Sequence, residues 1–285
     1  MRASSASSSI SPPIEWSMLL ADAVSKPGTI HSAYRRFWNY STGNQLLAMF
    51  QCISRQLDLG PINTFLGWID CGRHVKKGEK ALTLCMPVTV KRKSDECSAY
   101  DSAATEDAKP TEAGTYTRFI YRAHWFVLAQ TDGKSYTPAD LPEWNEARAL
   151  SSLSIERIGF EHPDGNCQGY AQERKVSVSP IAFAPHRTLF HELAHVLLGH
   201  TAELGRMDDT DVTPRNLREV EAEGVALICT ESLGLGTSEY SRGYLQHWLQ
   251  GESIPEKSAH RIFKAADQIL KAGHPARKGS GHGEA

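Results

Sequence analysis

Phe190-His191-Glu192-Leu193-Ala194-His195-Val196-Leu197-Leu198 holds two histidines four residues apart, with a glutamate directly after the first. An α-helix turns roughly 100° per residue, so positions i and i+4 share a face. Two imidazoles so placed can hold one cation from the same side, and the intervening glutamate can act as general base on a water there. A polar helix face that binds nothing is the plainer reading. The neighbours oppose it: Phe190, Leu193, Ala194, Leu197 and Leu198 are apolar, which predicts a largely buried helix. Buried His and Glu side chains are costly unless paired or coordinated. The motif therefore predicts a metal site, with His191 and His195 as ligands, Glu192 as base, and a zincin-like domain around them.

A catalytic zinc ion usually takes three protein ligands and keeps one position open. The best source of the third is Glu219-Val220-Glu221-Ala222-Glu223, inside a helix predicted over 216–233. Thr213 can cap that helix, Pro214 suits its first turn and Gly234 its end. Glu219 and Glu223 share a face, while Glu221 points roughly 200° away from Glu219 and is expected in solvent. Glu219 is thus the expected third ligand, and Glu223, one turn on, the hydrogen-bond partner of a ligand histidine. The shared face leaves an exchange of these two roles open. His200 competes as third ligand, but it lies five residues past His195 and is read as a helix C-terminal residue favoured by the dipole. A metzincin would need its third histidine at Thr201, which disfavours that family.

The length of 285 residues suits two modest domains. No run of eighteen or more apolar residues occurs, so no membrane span is expected. Residues 1–13 are Ser-rich without an apolar core, which predicts a disordered start rather than an export signal. The six cysteines form no C-x-x-C pair and read as reduced, mostly buried thiols of a cytoplasmic protein. A net charge of −2 hides an asymmetry: residues 1–93 carry +7, 94–146 carry −6 and 147–285 carry −3. A basic first part suggests a polyanion partner.

Helical spacing is found at 14–24 and 43–56, and strand-like composition at 65–70, 81–90 and 116–129. Residues 72–80 read as a basic turn with a short strand, 94–114 as a flexible acidic loop, and 131–134 as a turn. This predicts an α+β class with a small α+β domain over 14–138. A second domain over 139–271 opens with a helix at 141–153 and strands at 155–160 and 175–179. The motif helix, the glutamate helix and two closing helices at 241–250 and 255–271 follow. The strand at 175–179 is expected to offer an edge to an extended peptide. Residues 272–285 are expected to be a disordered tail.

Arg73, Lys76, Lys77 and Lys80 cluster around Gly72 and Gly78, with Trp38, Tyr40, Phe65 and Trp68 near in sequence. Positive charge tracks phosphates and aromatic faces stack on unpaired bases, so the set suits single-stranded nucleic acid. The plainer alternative is that the aromatics are core and the charges a solvated face.

Asn39-Tyr40-Ser41, Asn44, Leu46-Leu47, Trp68, Gly72-Arg73, Val75, Lys77-Gly78-Glu79-Lys80-Ala81, Pro87 and Phe126 to Gly133 together resemble the N-terminal domain of ArdC-type plasmid antirestriction proteins. Gly165-Asn166, Gln168 to Ala171, Thr188 to His195, Glu219 to Glu223 and Tyr244 to Trp248 continue the resemblance through the second half. It implies a single-stranded DNA-binding domain followed by a zinc metallopeptidase-like domain, in a protein that shields incoming mobile-element DNA from restriction. The family's metal pattern falls on His191, His195 and Glu219, with one Zn2+ per chain and Glu192 as base. Tyr40, Asn44, Trp68, Arg73, Lys76, Lys77 and Lys80 are then the DNA-binding candidates. Tyr240, Tyr244 and His247 are candidate donors to an oxyanion, Tyr244 having the family context. Three functions compete: a DNA-directed metalloprotease with a protein substrate, a DNA-masking protein with a non-proteolytic zincin domain, and a regulatory peptidase without DNA affinity.

Overall fold

The computed structural model describes residues 15–91, 115–162, 164–201, 213–249 and 251–275. The stretches expected to be a disordered start and an acidic loop, at 1–13 and 94–114, and the expected tail beyond residue 275 lie outside the described residues. The class is α+β, as expected.

Three helices open the described residues: α1 (Trp16–Ser25), α2 (Thr29–Phe37) and α3 (Thr42–Ser54). The periodicity reading missed α2, which follows Pro27 and starts at Gly28, whose φ of 79° fits a residue without Cβ. β1 (Ile62–Thr64) leads into α4 (Phe65–Asp70) and β2 (Arg73–Val75). The strand expected at 65–70 is therefore a helix. Thr64 starts it, its side-chain oxygen accepting from the Gly67 amide at 3.0 Å.

β3 (Leu82–Lys91) and β4 (Thr115–Val127) form a long antiparallel pair, with β1 on the other side of β4. Leu82, Leu84, Trp125 and Val127 are buried, while Phe119 and Tyr121 are exposed. Strict alternation would put the four β4 residues on one face. The register shift between Leu82 and Thr83, where β4 carries an extra residue, turns the two pairs to opposite sides. A short 3-10 turn (Leu128–Gln130) then feeds β5 (Thr131–Gly133), which pairs with β2 instead of forming only a turn.

α5 (Glu146–Leu153) is followed by β6 (Glu156–Arg157), β7 (Gly169–Gln172) and β8 (Lys175–Val178). The sheet order is β6-β8-β7, with β8 parallel to β6 and antiparallel to β7. This corrects the expected edge. The strand at 175–178 is central, so the edges of this sheet belong to β6 and β7, and no strand is expected from the sequence at β7.

α6 (Pro185–Leu197), α7 (Arg215–Ser232), α8 (Ser238–Leu249) and α9 (Glu256–Gly273) complete the described residues. Thr213 is not the cap of α7. Pro214 holds that position, and Thr213 accepts instead from Arg261 on α9. α9 runs to Gly273, past the expected start of the tail. α7 is buried along most of its length and packs against α2, α6, α8 and α9. One continuous core thus reaches from Leu20, Ile30 and Leu46 in the first helices to Val225, Leu227 and Ile262 in the last.

Candidate metal centre

α6 buries Thr188, Leu189, Phe190, Leu193 and Val196 and turns His191 and His195 toward α7. Pro185 suits its first turn, where no amide partner is needed. Across the gap, α7 presents Glu219 and, one turn further, Glu223.

His191 Nε2 and His195 Nε2 lie 3.0 Å apart. Glu219 Oε2 lies 3.4 Å from the first and 3.8 Å from the second. One donor atom from each of these three residues falls within 4.8 Å of the others. Two ring nitrogens facing each other this closely need a proton or a cation between their lone pairs. Donors at roughly 2.0–2.2 Å from a tetrahedral ion sit ~3.3 Å from one another, close to the spacings present. Two imidazoles and a carboxylate are also a donor set suited to zinc and its neighbours. The residues fit a divalent cation.

The electrostatics point the same way. Burial opposes charge on His191, yet the carboxylates of Glu219 and Glu223 outweigh it and raise its pKa to about 9. Hydrogen bonding from His191 and then His195 holds Glu219 far below the usual carboxylate range, against its burial. Burial of Glu223 is likewise overcome, by His191 and then Arg187, and its pKa is lowered. The cluster is a well of negative potential in which a positive charge is stabilised.

Glu223 Oε1 stands 3.3 Å from His191 Nδ1 and also takes the Arg187 guanidinium, whose Nε reaches Ser241 at 3.0 Å. Glu192 is 7 % exposed; burial pushes its carboxyl up, with His191 and His195 pulling the other way. A pocket of ≈ 190 Å³ opens beside it, lined by Gln168, Gly169, Arg187, Thr188, His191 and Glu223 among others. Gly169 is needed there: a Cβ would stand 2.5 Å from Thr188 Cγ2 and 3.2 Å from Glu192 Cγ. Tyr244 is 42 % exposed, and its hydroxyl is raised by burial and then by Glu219 and Glu223, which it faces. Tyr240 packs against Phe183 instead, ring centroids 5.3 Å apart, and His247 is exposed on the same helix.

Two expectations about the surroundings are overturned. Glu221 is not in solvent: it is fully buried, 2.9 Å from His200 Nε2 and 3.3 Å from Arg261. The opposite face of α7 is covered by α9, so a residue turned away from the site is still interior. His200 is neither a third ligand nor only a helix-end residue. Its Nδ1 lies 3.0 Å from His195 Nδ1, behind the ring edge that faces Glu219.

The DNA-binding candidates divide sharply. Tyr40, Asn44 and Trp68 are buried and cannot stack on or contact a strand. Tyr40 Oη donates to the Ile62 carbonyl at 3.0 Å. Asn44 bonds both the amide and the carbonyl of Cys85, tying α3 to β3. Trp68 Nε1 donates to the Phe126 carbonyl at 2.8 Å. Arg73 is occupied within the β2–β5 pair by Thr131 and Lys134. Lys76, Lys77 and Lys80 are exposed, although Lys76 also reaches the Ala129 carbonyl at 2.9 Å. Of the nearby aromatics, Phe65 is the one turned outward, 50 % exposed on α4 beside Leu66 and Ile69. Its signal was the Thr64 cap, which fixes α4 as a helix and so decides which ring faces in.

Residues 17–123 match the N-terminal domain of anti-restriction factor ArdC. The fold is similar to the Mn(II)-bound crystal structure of antirestriction protein ArdC from plasmid R388, with a TM-score of 0.50 and 19 % identity over 90 % of this chain and 93 % of that one. The metal-free structure of the R388 protein gives a TM-score of 0.49 at 19 % identity, over 90 % and 94 %. No protein of curated function shows significant sequence similarity to the chain. Among the described residues, no helix is long and apolar enough to cross a membrane.

Proposed function

We propose that the chain is an antirestriction protein of the ArdC type with a divalent-cation-dependent peptidase centre. The observation that carries the reading is the convergence of His191, His195 and Glu219 beside the buried Glu192. The Mn(II) bound by the R388 protein supports a divalent cation here, and the nitrogen-rich donor set favours Zn2+ as resident ion.

When bound, the cation supplies Lewis acidity toward a carbonyl oxygen. The chain's own residues do the rest. The Glu192 carboxylate takes a proton from the attacking water and returns it to the leaving nitrogen. Tyr244, kept protonated beside Glu219 and Glu223, donates to the oxyanion. Glu223 and Arg187 hold His191 in place. A peptide lies along the free edge of β7, whose Gly169 lets backbone approach the pocket wall.

Single-stranded DNA belongs to the same proposal, through the face that carries Phe65, Lys76, Lys77 and Lys80. Exposure of these side chains supports it. The DNA-masking reading, in which proteolysis is dispensable, is separated by the same experiment. Wild type and Glu192→Ala are loaded with Zn2+, and metal content, protein hydrolysis and protection of incoming DNA are compared. The expected result is equal metal, lost hydrolysis and lost protection. Unchanged hydrolysis removes Glu192 as base; lost hydrolysis with intact protection favours masking.

A further inference from the structure

Glu221 is a fully buried carboxylate in the middle of a helix, with two partners and no contact with solvent. Burying an ion is costly unless attraction and hydrogen bonds offset it, and an apolar residue packs there as well or better. Its Oε1 faces Arg261, whose guanidinium also bonds Thr213 and the Leu198 carbonyl. Arg261 presents only donors to Oε1, and a carboxylate bound in this way accepts through both of its oxygens. Its Oε2, 2.9 Å from His200 Nε2, therefore requires that nitrogen to carry a proton.

The rest follows by bonding rules. A neutral imidazole has one donor and one acceptor nitrogen. With Nε2–H committed to Glu221, His200 Nδ1 is an acceptor. It lies 3.0 Å from His195 Nδ1, which must then be the donor. That leaves His195 Nε2 without a proton, its lone pair directed at the space shared with His191 Nε2 and Glu219. Gly199, with φ 75°, ends α6 and lets the chain turn back. The His200 amide bonds the His195 carbonyl at 2.9 Å, which brings the second ring under the first.

We infer that Glu221 and His200 are positioning residues that fix His195 in the tautomer able to ligate a cation through Nε2. The two ligand histidines are held differently. His191 faces the Glu223 carboxylate directly, whereas His195 is reached from Glu221 through a second imidazole. The inference rests on the cation site of the preceding section.

The decisive change is Glu221→Gln, equal in volume. With its oxygen facing Arg261, the Gln amide presents N–H to His200, reverses the donor order and moves the His195 proton to Nε2. Two readouts apply. Zn2+ affinity is measured by competition with a chromogenic chelator, and the histidine tautomers by long-range 1H–15N correlation on the metal-free protein. The expected results are a loss of about 10–100-fold in affinity and a shift of His195 away from the Nδ1–H form. His200→Leu should weaken binding similarly. His200→Asn, whose amide oxygen can accept from His195, should recover most of it, and this pair keeps the test open if Glu221→Gln does not fold.

Unchanged affinity and an unchanged tautomer in Glu221→Gln, with only a lower melting temperature, overturn the inference and leave Glu221 a structural ion-pair member. If wild type takes up no Zn2+, the cation reading fails. The tautomer spectrum of the metal-free protein still decides whether the His195 proton sits where Glu221 and His200 dictate.

Discussion

Asp267 closes the start of a helix that lies 225 residues away in sequence: its Oδ1 accepts from both the amide and the hydroxyl of Thr42, each at 2.7 Å. The pattern repeats. Glu256 accepts from the Trp16 and Ser17 amides at 2.8 and 2.9 Å, and Glu231 from the Ile30 amide at 3.1 Å. None of α1, α2 and α3 has a side-chain cap of its own. Carboxylates from α7 and α9 thus meet the orphan amides and positive dipole ends of all three.

Replacing Asp267 by Ala should cost about 1–2 kcal/mol at neutral pH, the usual loss for a helix cap. Burial raises this carboxyl above its ordinary value of 3.8, with Lys271 and Thr42 pulling the other way. A raised folded pKa means the folded protein binds the proton more tightly. That contribution to stability is complete below the unfolded value and is lost as pH rises through the folded one. Asp267→Asn keeps an acceptor for Thr42, so it should hold or raise the melting temperature at neutral pH and flatten this part of the pH profile. Melts across the mildly acidic range check both; a wild-type-minus-variant difference that ignores pH would remove Asp267 as its source.

Gly169→Ala should distort the pocket without emptying it. The added methyl meets Thr188 Cγ2 at 2.5 Å and the Ser177 carbonyl at 2.9 Å, so β7 must move off α6. Overpacking of this kind costs about 1–3 kcal/mol. Hydrolysis should fall while Zn2+ content stays at the wild-type level, because no ligand is touched. Equal activity at equal stability would show that β7 has room to retreat.

Zinc should stabilise the fold, because its ligands meet only when α6 and α7 pack. An ion that binds the native state alone adds about 2.7 kcal/mol at a hundred times its Kd. The melting temperature should rise with added Zn2+, fall again with chelator, and respond to neither in His191→Ala. A shift that persists in that variant would place the ion elsewhere.

On the DNA face, Phe65→Ala and Lys76→Ala/Lys77→Ala should weaken single-strand binding at unchanged melting temperature, and the lysine pair should flatten its salt dependence. Trp68→Ala should do the reverse of a surface change: removing a fully buried indole costs about 3–5 kcal/mol. Salt titrations with labelled oligonucleotide separate the two. Full affinity in Phe65→Ala would take α4 out of the interface.

The candidate centre was readable because ligation would impose a spacing: two imidazoles on one face at i and i+4, and a carboxylate pair one turn apart. Glu221 was misread for the complementary reason. A helical wheel gives the angle between Glu219 and Glu221 but does not contain α9 or the returning His200. Tyr40 and Trp68 were misassigned because composition places an aromatic near a lysine without saying which side of the backbone either occupies, and Asn44 because a shared motif does not separate a core residue from a contact. Likewise, β7 is four residues long, too short for alternation to stand out from the glycine-rich flank before it.

The shared helix starts also bear on how the chain is made. The Ile30 amide leaves the ribosome 201 residues ahead of the Glu231 carboxylate that receives it. At a synthesis rate of roughly 5–20 residues per second, that is a wait of about 10–40 s. During this interval the first three helices have no lasting cap, and their final form depends on sequence not yet translated. Arg242 extends the dependence, pairing with Glu231 while donating to the carbonyls of Ala23 and Val24 at the end of α1. Helices α1 to α3 are therefore completed after later-translated helices arrive, the same helices that carry or cover the candidate cation ligands.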